Sequence, residues 1–347
     1  MSNDTPAANK KDISYSPSFM SQIAMFPLKN PGDVRFVERT NGCMSVAVMQ
    51  SMWGWTYGKI PRLFLIYVRS LVQTKSDKVD MENRIVKLDK SFRSFCEEAG
   101  LCTGTNIKDV EQSLLCLSGT TFTISLIGKS PNGRHFMEGR NLRLVSQFHL
   151  RFNNSKFDYP GFKDDGDPSS YIQFSEEMWS MFTDNPVPLN KRITFELGKS
   201  ARALDIYQWL AYRAYGLKKP LFVPWQSLKS QFDISATPMR SFKQRFRIAL
   251  SKVCEAWPEI KVICGKNGLT LYPCKSSLDS EEPVQKTPQP LEKVSDACPE
   301  LVISVGEKGL TVYPAGSSLT SGSRKQNTPK QRVVSSVRKS VTTENPF

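Results

Sequence analysis

Apolar residues recur at helical spacing in two stretches of this chain, and each stretch ends in alternating, strand-like segments. The clearer stretch is 190–278. Its first helix is predicted over about 200–216, with Ala203, Leu204, Tyr207, Leu210, Ala211 and Ala214 on one face. Ser200 suits its N-cap and Gly216 its stop. A second helix starts at Pro224 and turns Trp225, Leu228 and Phe232 inward. The third is entered through a turn at Asp233–Ala236, with Thr237 as N-cap and Pro238 at the first helical position. It runs to about Ala256, where Pro258 stops it. Its inner stripe is Phe242, Phe246, Leu250, Val253 and Trp257. A hairpin follows, Ile260–Cys264 and Leu269–Tyr272, joined by Gly265-Lys266-Asn267-Gly268, with Asn-Gly as a hairpin signal. Three helices followed by a hairpin wing is the order of a winged helix.

The same order is predicted earlier. Helices are expected over 60–74, with Pro61 in the first turn, over 88–99, closed by Gly100, and over 105–117, capped by Thr105 or Asn106. Strands over 120–128 and 141–152 flank a turn at Pro131-Asn132-Gly133. The predicted fold class is therefore α+β, with two tandem winged-helix domains, a disordered N-terminus and a polar C-terminal extension. The boundaries are a disordered segment 1–24, a first winged helix 25–155, a connector 156–189 and a second winged helix 190–278. The connector holds a strand at Tyr171–Phe174 and a short helix over 175–182. A linker 279–296, a further hairpin 297–319 and a basic disordered tail 320–347 complete the chain. That further hairpin is an internal repeat: AWPEIKVICGKNGLTLYPCKSSL (256–278) recurs as ACPELVISVGEKGLTVYPAGSSL (297–319), with about half of the positions identical. A lone hairpin is marginal in water, so the copy has to dock, compete with the first hairpin or stay loosely folded.

Charge sharpens this picture. The net charge is +14, and residues 191–256 hold thirteen lysines and arginines against four acids. A basic excess gathered on one helical segment is the footprint of a polyanionic partner. No run approaches the ~20 apolar residues of a membrane span, and the N-terminus lacks the apolar core of a secretory signal. Eight cysteines occur without a C-x-x-C pair, which points to buried reduced thiols in a cytoplasmic protein. Cys96 and Cys102 with His135 and His149 make a poor zinc set. Asp164, Asp165 and Asp167 lack calcium-loop spacing. The Gly-Lys-Ser triplets at 128–130 and 198–200 lack the upstream glycine of a phosphate loop, the positions being Thr123 and Ile193. Tyr207, Tyr212 and Tyr215 have no metal-holding histidine pair beside them, so they read as helix-packing residues rather than nicking nucleophiles. Neither an enzymatic activity nor a cofactor or metal is expected.

The chemistry that remains is DNA binding. A recognition helix lays its N-terminal half in the major groove, where Arg forks onto guanine and Gln pairs with adenine. Arg240, Lys243, Gln244 and Arg247 share one outer stripe, with Thr237 and Ser241 at its start, and Lys266 sits in the wing turn. The bland alternative for such a stripe is a solvated helix face. Arg245, Lys252 and Lys229 read as phosphate contacts or plain surface. The third helix of the first stretch carries only Lys108, opposed by Asp109 and Glu111, so its expected role is dimerisation or auxiliary contact.

Over roughly residues 25–275 the chain resembles the RepA-type replication initiators of bacterial plasmids. The likeness rests on ERTNG (38–42), YGKIPRLFLIYV (57–68), Thr74-Lys75-Ser76, LDKSFRSFCEEAGL through TGTN (88–106), DNPVPLN (184–190), ARALDIYQWLAYR (201–213), the KP…W-x-x-L-x-x-QF pattern of 219–232, FKQRF (242–246) and GLTLYP (268–273). The resemblance implies binding to repeated double-stranded origin elements (iterons), mainly through the second winged helix. It also implies a homodimer, and a host initiator protein and replicative helicase as partners. The duplicated hairpin and the basic tail, Arg324 to Lys339, depart from the family pattern. A transcriptional regulator on the same folds is the competing reading, and a nicking or priming enzyme the distant one.

Overall fold

Residues 12–88, 92–101, 106–129, 134–151, 170–233, 237–279, 302–306 and 309–313 are described in a computed structural model. The first part of the chain contains β1 (Ile13–Ser16), α1 (Ser18–Gln22), β2 (Phe36–Asn41), β3 (Met44–Met49), α2 (Ile60–Gln73), β4 (Val79–Asp80), β5 (Ile85–Lys87), α3 (Phe92–Glu98), α4 (Ile107–Ser118), β6 (Thr121–Lys129), β7 (His135–Arg143), β8 (Val145–His149), β9 (Tyr171–Phe174) and α5 (Glu176–Thr183). The second contains β10 (Val187–Asn190), α6 (Lys191–Leu197), α7 (Ala201–Ala214), β11 (Leu221–Pro224), α8 (Trp225–Phe232), α9 (Met239–Ala256), β12 (Val262–Cys264) and β13 (Gly268–Leu271). Strands β14 (Val302–Gly306) and β15 (Gly309–Tyr313) follow. The basic tail and the 279–296 linker beyond Asp279 lie outside the described residues, as do Asp164, Asp165, Asp167 and the turn at 131–133.

Local chemistry accounts for the helices. Pro61 sits in the first turn of α2, and Leu63 through Val68 are all buried, so this helix is apolar on nearly every side. Asn106 caps α4 by accepting from the Lys108 N–H, and Ser200 caps α7 by accepting from Ala203. Helices α2, α3 and α4 precede the β6–β7 hairpin, and α7, α8 and α9 precede β12–β13. In the second set β11 adds to the hairpin in the order β11-β13-β12, which completes a winged-helix sheet.

Three expectations change. Within the segment 1–24, expected to be disordered, residues 13–24 are structured: β1 pairs antiparallel with β10, and Met20, Ile23 and Ala24 enter the core. Ser16 donates to Gln208 at 2.5 Å, and Tyr15 N–H to Ser70 at 2.9 Å. The polar look of this stretch misleads because its partners lie far away in sequence. In the first hairpin, the returning strand begins at His135, not Asn141, and ends at Arg143. Beyond Leu144 the chain leaves as β8 and joins a separate sheet, β4-β5-β9-β8. The connector 156–189 is consequently part of the first module's packing: β9 pairs with β5 and β8, and Phe174 stacks on Phe182 of α5 with ring centroids 5.5 Å apart.

A single apolar cluster runs from Met20 to Leu271, through both modules. Where they meet, Arg62 of α2 forks onto Asp205 of α7, Nε to Oδ1 at 2.5 Å and Nη2 to Oδ2 at 2.8 Å. The remaining Arg62 N–H groups donate to the carbonyls of Gly58 at 2.5 Å and Phe26 at 2.7 Å. Both side chains are buried. A buried pair survives desolvation only when its spare donors are satisfied in this way.

Six cysteines are free thiols among the described residues, and no cluster of metal-binding side chains occurs among those residues. No described helix is long and apolar enough to cross a membrane. Arg62→Met or Asp205→Asn is expected to cost about 3–5 kcal/mol of unfolding free energy, measured by urea titration, because each leaves one buried charge unpaired. Burial pushes the thiols of Cys254 and Cys264 up to about 12 and about 11. Among the described cysteines, alkylation at pH 8 is expected at exposed Cys43 first. Cys254 and Cys264 are expected to react only after unfolding, as read by peptide mass.

Candidate nucleic-acid interface

Helix α9 is amphipathic. Phe242, Phe246, Leu250 and Val253 are buried, as expected, and its surface carries five cations, Arg240, Lys243, Arg245, Arg247 and Lys252, against Glu255. The aromatic core beneath it fixes its placement. Trp225 of α8 packs edge-on to Phe246 with centroids 5.8 Å apart, and Phe232 meets Phe246 at 5.5 Å.

Trp225 also fastens the wing. Its indole N–H donates to the Gly265 carbonyl at 3.0 Å, and its backbone N–H donates to Asn267 at 3.1 Å. Lys243 lies over the same ring, Nζ 5.6 Å from the centroid, and Arg247 lies over it at 5.4 Å. Lys243 Nζ further donates to the Lys266 carbonyl at 3.3 Å. One indole thus joins α8, α9 and the wing. Gly268 is required here for space, not for an unusual backbone angle: a Cβ would stand 2.3 Å from the Val223 carbonyl of β11.

The stripe expected from the sequence is divided by this geometry. Arg240 and Gln244 are exposed, and Ser241 is half-buried. Lys243 and Arg247, half-buried, are drawn toward the wing root, where Arg247's charge and hydrogen bond oppose the rise of the Cys264 thiol. Lys266 is exposed at the wing turn. Met239, Arg240, Lys243, Gln244 and Arg247 line a surface cleft of about 520 Å³. Thr237, expected as the N-cap, is not one. Pro238 holds that position without a side-chain cap, and Thr237 donates instead to Asp233 at 3.2 Å. One member of the open face, Ile248, escaped the sequence reading, and Arg245, read as a phosphate contact or plain surface, belongs to that face as well. Arg245 is exposed beside Gln244, and Ile248, one turn beyond Gln244, is 56% exposed. The available signal for Ile248 was an isoleucine that falls off the inner stripe of an otherwise basic helix face. An apolar side chain there can meet a thymine methyl group, as Arg and Gln meet base edges.

Of the three tyrosines, Tyr207 packs as expected. It is fully buried, donates or accepts at Ser277 over 3.0 Å, and is pushed up to about 12 by burial. Tyr215, at the end of α7, is instead exposed.

The family model RepA_C, described as plasmid encoded RepA protein, matches residues 55–221. No curated protein sequence matches the chain. Among solved structures, a selenomethionine derivative of domains 2 and 3 of RctB aligns over 76% of this chain and 99% of its own, at 12% identity and a TM-score of 0.48. A second structure of RctB domains 2–3 aligns over 73% and 94%, at 12% identity and a TM-score of 0.41.

Trp225→Ala is expected to cost about 3–5 kcal/mol by urea unfolding, as for a buried core aromatic. Arg240→Ala is expected to fall within about 0.5 kcal/mol of the parent. A large stability loss in Arg240→Ala would show that it supports the fold.

Proposed function

We propose, from the match of residues 55–221 to the plasmid encoded RepA family model, that the protein is a plasmid replication initiator that binds iteron repeats in origin DNA through the open face of α9. The observation that carries this reading is the exposed set Arg240, Gln244 and Arg245 on a helix pinned against a wing whose tip bears Lys266. Arg240 and Gln244 read base edges from the major groove, while Arg245, Lys252 and Lys266 hold phosphates and set the register. Arg247 and Lys243 act mainly by keeping helix and wing in one orientation. The protein works without catalytic chemistry of its own. It prepares the origin for the host initiator protein and the replicative helicase, and its first module supplies homodimer and auxiliary contacts.

Fluorescence titration against a duplex of direct repeats tests the proposal. Arg240→Ala and Gln244→Ala are each expected to weaken binding by about 1–3 kcal/mol and to relax specificity at one base pair. Lys266→Ala is expected to weaken all sequences alike and to lower the salt slope by about 1. Unchanged affinity in both Arg240→Ala and Gln244→Ala would remove α9 from the interface. Loss of plasmid maintenance in the Arg240→Ala strain distinguishes an initiator from a regulator of transcription.

A further inference from the structure

The internal repeat moves an open edge of the wing sheet rather than removing one. The sheet has the order β11-β13-β12-β15-β14, so β11 and β14 bound it. The two ends differ in chemistry. Strand β11 ends in Pro224 and is preceded by Pro220 and by exposed Lys218 and Lys219, which protect an edge against pairing. Strand β14 reads Val-Ile-Ser-Val-Gly, with three β-branched residues and neither proline nor charge. Its outer edge has no partner strand among the described residues.

The repeat shows what such an edge takes. By the offset between the two copies, Ile303–Val305 of β14 correspond to Val262–Cys264 of β12, the strand whose edge β15 occupies. The backbone directions agree. In the first hairpin the Gly265 N–H donates to Gly268 at 2.8 Å, and the Tyr272 N–H to Lys261 at 2.9 Å. Hydrogen-bonded pairs alternate along an antiparallel ladder. Val262 and Cys264 therefore turn their N–H and C=O groups away from β13, to the side that β15 takes. In the second hairpin Gly306 and Gly309 form the corresponding closing pair, so Ile303 and Val305 turn theirs outward in the same way. A strand of the β15 kind is not free in a second copy, because β12 and β14 take both its sides. The strand that remains is β14 itself.

We propose that two copies of the chain associate by pairing their β14 edges antiparallel, about a two-fold axis at Ser304, which joins two wing sheets into one. Ile303 of one copy then lies opposite Val305 of the other, and each such pair exchanges both backbone hydrogen bonds. The contact is self-complementary, so it closes at two copies. It uses neither the first module nor a residue of α9, and it does not depend on how DNA is read.

Cysteine cross-linking of the full-length chain tests this. At the axis, Ser304 of the two copies forms a pair without hydrogen bonds, with Cα atoms about 4.5 Å apart, within the span of a disulfide. Val302 of the two copies is separated by four residues of strand, about 14 Å. Under diamide, Ser304→Cys is expected to give a disulfide linking position 304 of two chains, identified by peptide mass. Its yield should exceed that of the corresponding link in Val302→Cys by about tenfold or more, since reach decides which thiols join. Adding Val305→Pro to Ser304→Cys removes an outward N–H and leaves β14 its bonds to β15, and should lower the link by about fivefold or more. No link at position 304 overturns the proposal. Equal yields at 302 and 304 mark random collision and overturn it too, as does a link that survives Val305→Pro unchanged. Should Val305→Pro undock the hairpin, the ratio between positions 304 and 302 decides alone. A dimer formed through the first module leaves position 304 unlinked, so the two associations are read apart.

Discussion

The fork of Arg62 on Asp205 is the constraint around which the two modules are arranged. It lies inside the protein, so it requires both helices at once: α2 brings the guanidinium and α7 the carboxylate. The Phe26 and Gly58 carbonyls complete the donor set, which draws the segments before β2 and before α2 into the same joint. Breaking one partner strands a charge in the core, so the modules gain by staying together. The apolar cluster around the pair then extends without interruption from one module into the other.

Away from that joint, a single indole performs the equivalent task for α9 and the wing. Trp225 is buried by Phe242 and Phe246, yet its polar edge reaches the wing. Because Lys243 and Arg247 lie over its face, part of the basic stripe is spent on orientation. The groups left on the open face of α9 are Arg240, Gln244, Arg245 and Ile248. Helix and wing are consequently held in one orientation, which the proposed reading of base edges requires, since a hydrogen bond to a base tolerates little misplacement.

The duplicated hairpin docks. Strand β15 pairs antiparallel with β12, Ile263 opposite Thr311 and Cys264 opposite Leu310, and β14 pairs with β15. The copy thereby extends the wing sheet to the order β11-β13-β12-β15-β14 and covers the edge of β12. An uncovered edge would invite pairing with another chain. The repeated sequence suits this use, because both hairpins share the same alternation.

Much of the fold was legible in the chain itself. Helical periodicity placed α2, α4, α7, α8 and α9 to within a few residues, since each buries one face or nearly all faces and is bounded by a proline, a cap or a glycine. Short-range chemistry also placed the wing, β9 and α5. What local pattern could not convey was pairing at a distance. Ser14 and Ser16 look like a polar tail until β10 supplies their strand partner. Arg39 and Arg62 carry no local sign of burial, yet both lie inside the protein. Arg247 looks like a base reader until Trp225 lies beneath it. Spacing along a chain reports which residues share a face, and so the sequence by itself determined the elements and the basic helix. Which faces meet, and which charges are buried by that meeting, depends on contacts between separate elements, from Trp225 under Arg247 to Arg62 on Asp205, 143 residues apart, and only the tertiary structure decided it.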